Sequence, residues 1–205
     1  MAYIENSSNV SGGAQVFGEA QVFGEARVSG GAQVSGGAQV SGGARVFGEA
    51  QVFGEARVFG EAQVFGEARV SGGARVFGEA QVFGEARVFG EARVFGEAQV
   101  FGEARVFGEA RVFGEARVFG EAQVSGDSYL EKPSDILCGY FPSRSGTYHL
   151  TLTRTARNTV RFVWGCRSGA DFRAYLSDPS YDGLREAPLA MLKALEINLG
   201  IYQGG

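Results

Sequence analysis

Residues 44–61 read ARVFGEAQVFGEARVFGE, three copies of one six-residue phrase, Ala-[Gln/Arg]-Val-Phe-Gly-Glu. The phrase continues in both directions without insertion. Valine recurs every six residues from Val10 to Val124, and alanine every six from Ala14 to Ala122. Ala and Val, two apart, share one face of an extended strand, while the Gln or Arg between them points the other way. Val is β-branched and suits a strand, and the glycine two residues later permits a tight corner. Each unit is therefore a short strand and a turn. A helix is excluded, because a glycine at every sixth position would cost about 1 kcal/mol each relative to alanine. Three units close a triangle, and successive coils stack at about 4.8 Å, the ordinary strand spacing. The twenty valines predict nearly seven coils and a rod of roughly 30 Å.

A single unit cannot bury its valine. Stacking sets Val on Val and Ala on Ala, and each buried Val contributes roughly 1.5–3 kcal/mol before chain entropy is subtracted. The open strand edges at the two ends need covers. Tyr3 and Ile4 are placed to cover one, and the region after the repeat the other.

The repeat stops near Asp127, and composition shifts with it. All four prolines lie beyond residue 130, whereas 14 of the 17 phenylalanines lie before it. The expected organisation is an N-terminal cap over residues 1–9, a mostly β, parallel hexapeptide solenoid over 10–127, and a small α+β domain over 128–205. Residues 1–127 carry 10 Arg against 16 acidic groups, and the remainder 9 basic against 7 acidic groups. Neither half is basic enough to call for nucleic acid. No secretory leader is visible in MAYIENSSN, and no apolar run approaches a membrane span. Two cysteines, Cys138 and Cys166, make no disulfide framework. The expected setting is the cytoplasm or a virion assembled there, with no membrane partner.

The units resemble the left-handed, triangular β-helix of hexapeptide-repeat proteins, in which an aliphatic residue points inward and a small residue sits two positions before it. One departure is the glycine: Phe or Ser intervenes before it, as in Val52-Phe53-Gly54. The Val-x-Gly-x-Ala-x phrasing resembles the repeat arrays of phage and prophage proteins, which carry a small C-terminal domain. The resemblance covers residues 10–127. It implies a structural role and association into oligomers, trimers among them.

Two positions of the unit vary together. Val-Phe-Gly-Glu and Val-Ser-Gly-Gly account for the 19 units from Val10 to Glu121, and Val124-Ser125-Gly126-Asp127 is a variant. Taken in steps of 18, one face carries Gln21, Gln39, Arg57, Arg75, Arg93 and Arg111, with Glu61, Glu79, Glu97 and Glu115 alongside; this reads as a solvated charged face. The aromatic positions form columns: Phe47, Phe65, Phe83, Phe101 and Phe119, and Phe59, Phe77, Phe95 and Phe113. If Val points inward, the next residue points outward, and such stripes are large for a solitary chain. Two readings stand. Each Phe stacks on its neighbour and folds over the corner glycine, or the columns form a lateral interface between copies of the chain. The interface is favoured.

Beyond Asp127, Ile136–Phe141, Tyr148–Arg154 and Val160–Trp164 read as strands. Residues 157–159 read as a turn and residues 165–169 as a loop. A short helix is expected at Ala170–Ser177. A final helix has Pro188 in its first turn, Leu189, Leu192, Leu195 and Leu199 facing inward, and Gly200 at its end. Gly165-Cys166 followed by Gly169 resembles a Gly-Cys-x-x-Gly pattern of the phage-associated C-terminal domains. Cys166 as a nucleophile would need a base, and His149 is the sole histidine. A buried structural cysteine is the plainer reading.

The hexapeptide fold also hosts acyltransferases and metal-dependent carbonic anhydrases, both of which rely on histidine in the solenoid. Residues 1–127 contain no His, no Cys, and no Asp besides Asp127. Every Glu from Glu19 onward repeats with the units, so none is singled out. The expected function is a non-catalytic rod that self-associates and presents or anchors its C-terminal domain, without cofactor or metal. The alternatives are a polymerising scaffold resembling bactofilins, a surface- or ligand-binding solenoid, and, last, a small enzyme using Cys166. An ice-binding face would call for regular threonines, and residues 1–127 contain none.

Overall fold

The computed structural model describes residues 1–143, 146–157, 159–164, 167–169 and 186–200. Each unit folds as the period dictates. The Gln/Arg-Val pair is a two-residue strand, Gly-Glu or Gly-Gly is a turn, and the next strand follows on the adjacent face. Three parallel sheets of eight, six and seven strands result, wound in about seven coils.

The first face runs from Tyr3–Ile4 through Gln21–Val22 to Tyr129–Leu130. The second runs from Arg27–Val28 to Arg117–Val118, and the third from Gln15–Val16 to Gln123–Val124. Registers are in steps of 18, as in Arg45↔Gln63 and Val46↔Val64. Hydrogen bonding continues past the strands into the corners. The N–H of Arg45 donates to the Ala62 carbonyl (2.9 Å), that of Phe47 to Val64 (3.0 Å) and that of Glu49 to Gly66 (2.8 Å).

The interior is a thin ladder of alanine and valine. Each repeat Ala and Val from Ala20 to Val124 has no exposed surface. The corner glycine, displaced by one position from the familiar hexapeptide pattern, sits at φ 60–72° in the twenty units from Gly12 to Gly126. An L-residue there is strained by 1–2 kcal/mol. The coils also approach closely at this point: a Cβ on Gly96 would lie 2.9 Å from the Gly114 nitrogen. Glycine thus answers both to backbone conformation and to the 18-residue neighbour.

At the N-terminal end, Tyr3–Ile4 pairs with Gln21–Val22 and extends the first face by one strand. A 3-10 turn at Ser7–Asn9 folds beneath the second face. Asn9 is buried there, and its Nδ2 donates to the carbonyls of Gly24 (3.0 Å) and Ala26 (2.7 Å). The Gly24 N–H donates to Glu5 Oε2 at 2.6 Å. The Asn9 side chain thus takes up carbonyls that a preceding coil would otherwise have satisfied.

At the other end, an antiparallel sheet follows, with strands Ile136–Ser143, Gly146–Arg154, Val160–Trp164 and Arg167–Gly169 in that order. The last is a departure from the expected loop at 165–169. Gly and Ser are weak strand formers, yet the edge of Val160–Trp164 offers partners, and Phe162↔Gly169 and Val163↔Ser168 pair. The helix Glu186–Asn198 carries Pro188 in its first turn. Leu192 and Leu195 are buried and Leu189 and Leu199 half-buried against the sheet, as the spacing predicts. Gly200 follows at φ 68°. The expected helix at 170–177 and Cys166 lie outside the described residues.

Candidate functional site

The outward-facing aromatic columns are the feature that sets this solenoid apart from a bare ladder. The Phe after each Val stands at a corner, and its neighbour 18 residues on stands directly above. Phe47, Phe65, Phe83 and Phe101 stack with ring centroids 4.9–5.0 Å apart and ring planes within 2–5° of parallel. Phe59, Phe77, Phe95 and Phe113 do the same, at 4.9–5.0 Å and 1–9°. The spacing is that of the strands beneath, so the backbone sets the stack and each ring pair adds roughly 0.5–1.5 kcal/mol. The third corner is interrupted by Ser35 and Ser71, and only Phe89 and Phe107 stack there, at 5.1 Å.

Stacking hides these rings in part. Phe47, Phe59, Phe65, Phe77, Phe83, Phe95, Phe101 and Phe113 are all half-buried. Exposure is greater where a neighbour is missing: 49 % at Phe17 and 39 % at Phe53, each beside serine, and 51 % at Phe119, the last of its column. The stacking reading of the sequence therefore holds for the columns, with the ring edges left outward.

The charged columns lie as the register requires. Arg57, Arg75, Arg93 and Arg111 are cross-strand neighbours on the first face. Among the described residues, no direct ion pair links them to the Glu columns. They are a solvated face. An open groove lies at the N-terminal end of the second face, lined by Asn6, Asn9, Arg27, Arg45, Glu61 and Gln63. It occupies the stretch where Ser11, Ser29 and Ser41 stand in place of Phe.

The C-terminal sheet meets the last coil through a row of hydroxyls. On the strand Gly146–Arg154, Leu150 and Leu152 face the helix and join Phe162, Leu192 and Leu195 in a second core. Thr151, Thr153 and the following Thr155 are buried on the opposite side. Thr151 Oγ1 accepts from the Gln123 N–H (3.0 Å), and Thr153 Oγ1 lies 2.8 Å from Ser128 Oγ, which donates to the Ser125 carbonyl (2.7 Å). Thr155 bridges to Ser128. Ile136 joins the solenoid core, and Asp135 accepts from the Glu131 and Lys132 N–H groups (2.8 and 2.9 Å). Arg161 Nε donates to Asp127 at 2.9 Å. The alternation His149-Leu150-Thr151-Leu152-Thr153 is thus that of a strand buried on both sides, with threonine answering the polar end of the ladder.

His149 is half-buried at the margin of this junction. Its Nδ1 lies 3.3 Å from Thr151 Oγ1, and its ring packs edge-on against Tyr140, centroids 5.0 Å apart. Burial lowers its pKa, and the Glu121 carboxylate acts in the opposite sense. The thiol that the structure brings near it is Cys138, paired across the strands with Thr151. Sequence reasoning had no signal for this, because only the hairpin register, Cys138↔Thr151 and Tyr140↔His149, sets the two residues on one side of the sheet. Burial pushes the Cys138 thiol up to about 11, against a hydrogen bond with Thr151, so it is protonated and unreactive at neutral pH. Cys138 is a packing residue beside the solenoid core. Among the described residues, no group of three or more His, Cys, Asp or Glu is gathered as a metal site would need.

The YdcK beta-solenoid repeat model matches residues 20–36, just under one coil, and over that stretch the chain is similar to this repeat family. No curated protein and no solved structure matches the chain at a significant level. Among the described residues, no helix is long and apolar enough to cross a membrane.

Proposed function

We propose that this chain is a non-catalytic structural rod, of the kind phages and prophages encode, which self-associates along its sides and presents or anchors its C-terminal sheet and helix. The observation that carries the reading is the uniformity of the solenoid. From Ala20 to Val124 its interior is a closed ladder of buried alanine and valine. Its outer positions repeat with the same few residue types in every coil. Catalysis calls for a constellation of unlike groups at one place. A ladder of like groups repeated along an axis suits length, rigidity and lateral contact. The phage setting rests on the resemblance of the Val-x-Gly-x-Ala-x units.

The covered C-terminal end weighs against a bactofilin-like filament. Head-to-tail stacking needs an exposed last coil, and here Thr151 and Ser128 occupy its backbone groups.

Sedimentation of the full chain together with small-angle scattering tests the reading. The expected result is an elongated particle whose mass is a whole multiple of 21.7 kDa. Replacing two stacked rings, Phe83→Ser with Phe101→Ser, should lower that mass, as serine already occupies this position in other units. An unchanged mass removes the aromatic columns from the assembly. A Cys166→Ala, His149→Ala chain that assembles as before but loses a detected chemical activity would overturn the non-catalytic assignment.

A further inference from the structure

The phrase Arg57-Val58-Phe59-Gly60-Glu61 sets an arginine and a glutamate two residues to either side of a ring. It recurs from Arg75, Arg93 and Arg111, so four consecutive coils carry it at the corner between the first and second faces. The arginines belong to the first face and are in register. The rings stack at 4.9–5.0 Å, and the glutamates lead into the second face. This corner is therefore a ridge of half-buried rings, with an exposed cationic column on one flank and an exposed anionic column on the other. Among the described residues, no ion pair within the chain takes up either column. The other two corners do not repeat the arrangement. At the corner after the second face, Gln63, Gln81 and Gln99 stand in place of the arginines. At the corner after the third, Ser71 and Gly73 interrupt both the rings and the carboxylates.

Resting on the self-association proposed above, we infer that this ridge, from Arg57 to Glu115, docks on the same ridge of a second copy lying parallel and in register. The charge pattern selects both the occupant and its orientation. A rotation axis running along the rods, a two-fold in the simplest case, sets the cationic flank of one copy against the anionic flank of the other. This holds on both sides of the meeting rings. Arg75 of one copy then stands level with Glu79 of the other, and Arg93 with Glu97. An antiparallel pair, related by a two-fold across the rods, would oppose arginine to arginine and glutamate to glutamate, and such like-charge contacts are costly. Period points the same way. Ribs at the strand spacing mesh over several coils only with another ladder of that spacing, and an identical chain supplies it. Rotation about an axis along the rods keeps equal coils at equal heights, in keeping with the closed symmetric association usual among oligomers. Exposed ion pairs each add little affinity, so the rings supply the contact and the charges its direction. The column through Phe83 and Phe101 lacks this directional pattern and is open to wider assembly in either orientation.

The test is sedimentation of full-length chains across a concentration series. One ridge variant carries Arg75→Glu with Arg93→Glu, and a second carries Glu79→Arg with Glu97→Arg. A control carries Arg69→Glu with Arg87→Glu on the third face, and has the same net charge as the first variant. All the substituted side chains are exposed, so the circular dichroism spectra should match that of the unaltered chain. The expected result is a dissociation constant raised about 10-fold or more in each ridge variant alone. An equimolar mixture of the two should associate at least as tightly as the unaltered chain, because each flank then meets its opposite. The control should associate as the unaltered chain does. An unaltered chain that sediments at 21.7 kDa at every concentration overturns the self-association reading and this inference together. If the unaltered chain assembles, three results overturn the choice of ridge and leave self-association standing. They are ridge variants that assemble equally well alone, ridge variants that fail to recover on mixing, and a control weakened as much as the first variant.

Discussion

Val82 and Leu152 are both fully buried, yet they occupy different kinds of environment. Val82 lies between Val64 and Val100, its register partners 18 residues away on either side. The same arrangement recurs at each unit along the ladder. Leu152 pairs with Leu137 on one side and Phe162 on the other and packs beneath the helix Glu186–Asn198. Nothing elsewhere in the chain duplicates it. The solenoid distributes its stability over identical short-range steps, as a one-dimensional stack does. The C-terminal sheet concentrates its own in a few residues, and it also has to match the polar end of the stack. The contrast predicts that damage stays local in the first region and spreads in the second.

The largest effect is expected at the C-terminal core. Leu152→Ala should cost about 3 kcal/mol, within the range for buried leucines, and should melt the antiparallel sheet and helix while the solenoid strands persist. Thermal melts followed by circular dichroism should then split into two steps. Val82→Ala should cost about 1.6 kcal/mol from two lost carbons, with no such splitting.

Gly96→Val comes next, at about 2–3 kcal/mol. It combines the left-handed backbone cost with the 2.9 Å approach to Gly114. Gly31→Glu is the matched comparison. Gly31 is the second glycine of its corner, where an added Cβ meets only ordinary contacts of 3.6 and 3.8 Å. Its midpoint of denaturation should stay near that of the unaltered chain.

Thr153→Val should cost about 1 kcal/mol, by removing the hydroxyl 2.8 Å from Ser128. Chemical denaturation should place the loss in the C-terminal transition. The smallest expected effect is that of His149. Its folded-state pKa is depressed by burial, so its contribution to stability is full above the unfolded value near 6.5 and is lost as pH falls below it. Partial exposure makes the slope shallow. His149→Gln should flatten it below about pH 6.5, read from midpoints of the C-terminal transition.

Much of the solenoid was legible because one constraint repeats twenty times. The spacing of Ala14, Val16 and Gly18 determines strand, inward face and corner, and each later unit restates it. The stacking of Phe47 on Phe65 followed from the 18-residue coil. Its half-burial did not, since ring orientation depends on the neighbour above. The C-terminal strands were readable from alternation, but their packing was not. Threonine on a strand ordinarily suggests a solvated face, and the partner of Thr151 and Thr153 is the end of the solenoid, more than twenty residues away in the chain. The strand Arg167–Gly169 was missed for a related reason: its pairing comes from an available edge and owes little to Ser168 or Gly169.

The claim on which the rest depends is that the rod is modular, each coil equivalent to the next. Deleting Val46 to Gln63 removes one coil and joins Arg45 to Val64 with all three faces kept in register. Circular dichroism with scattering should find a folded chain with an unchanged C-terminal transition, shorter along its axis by about 4.8 Å. Loss of the folded state on removing that single coil would contradict the account.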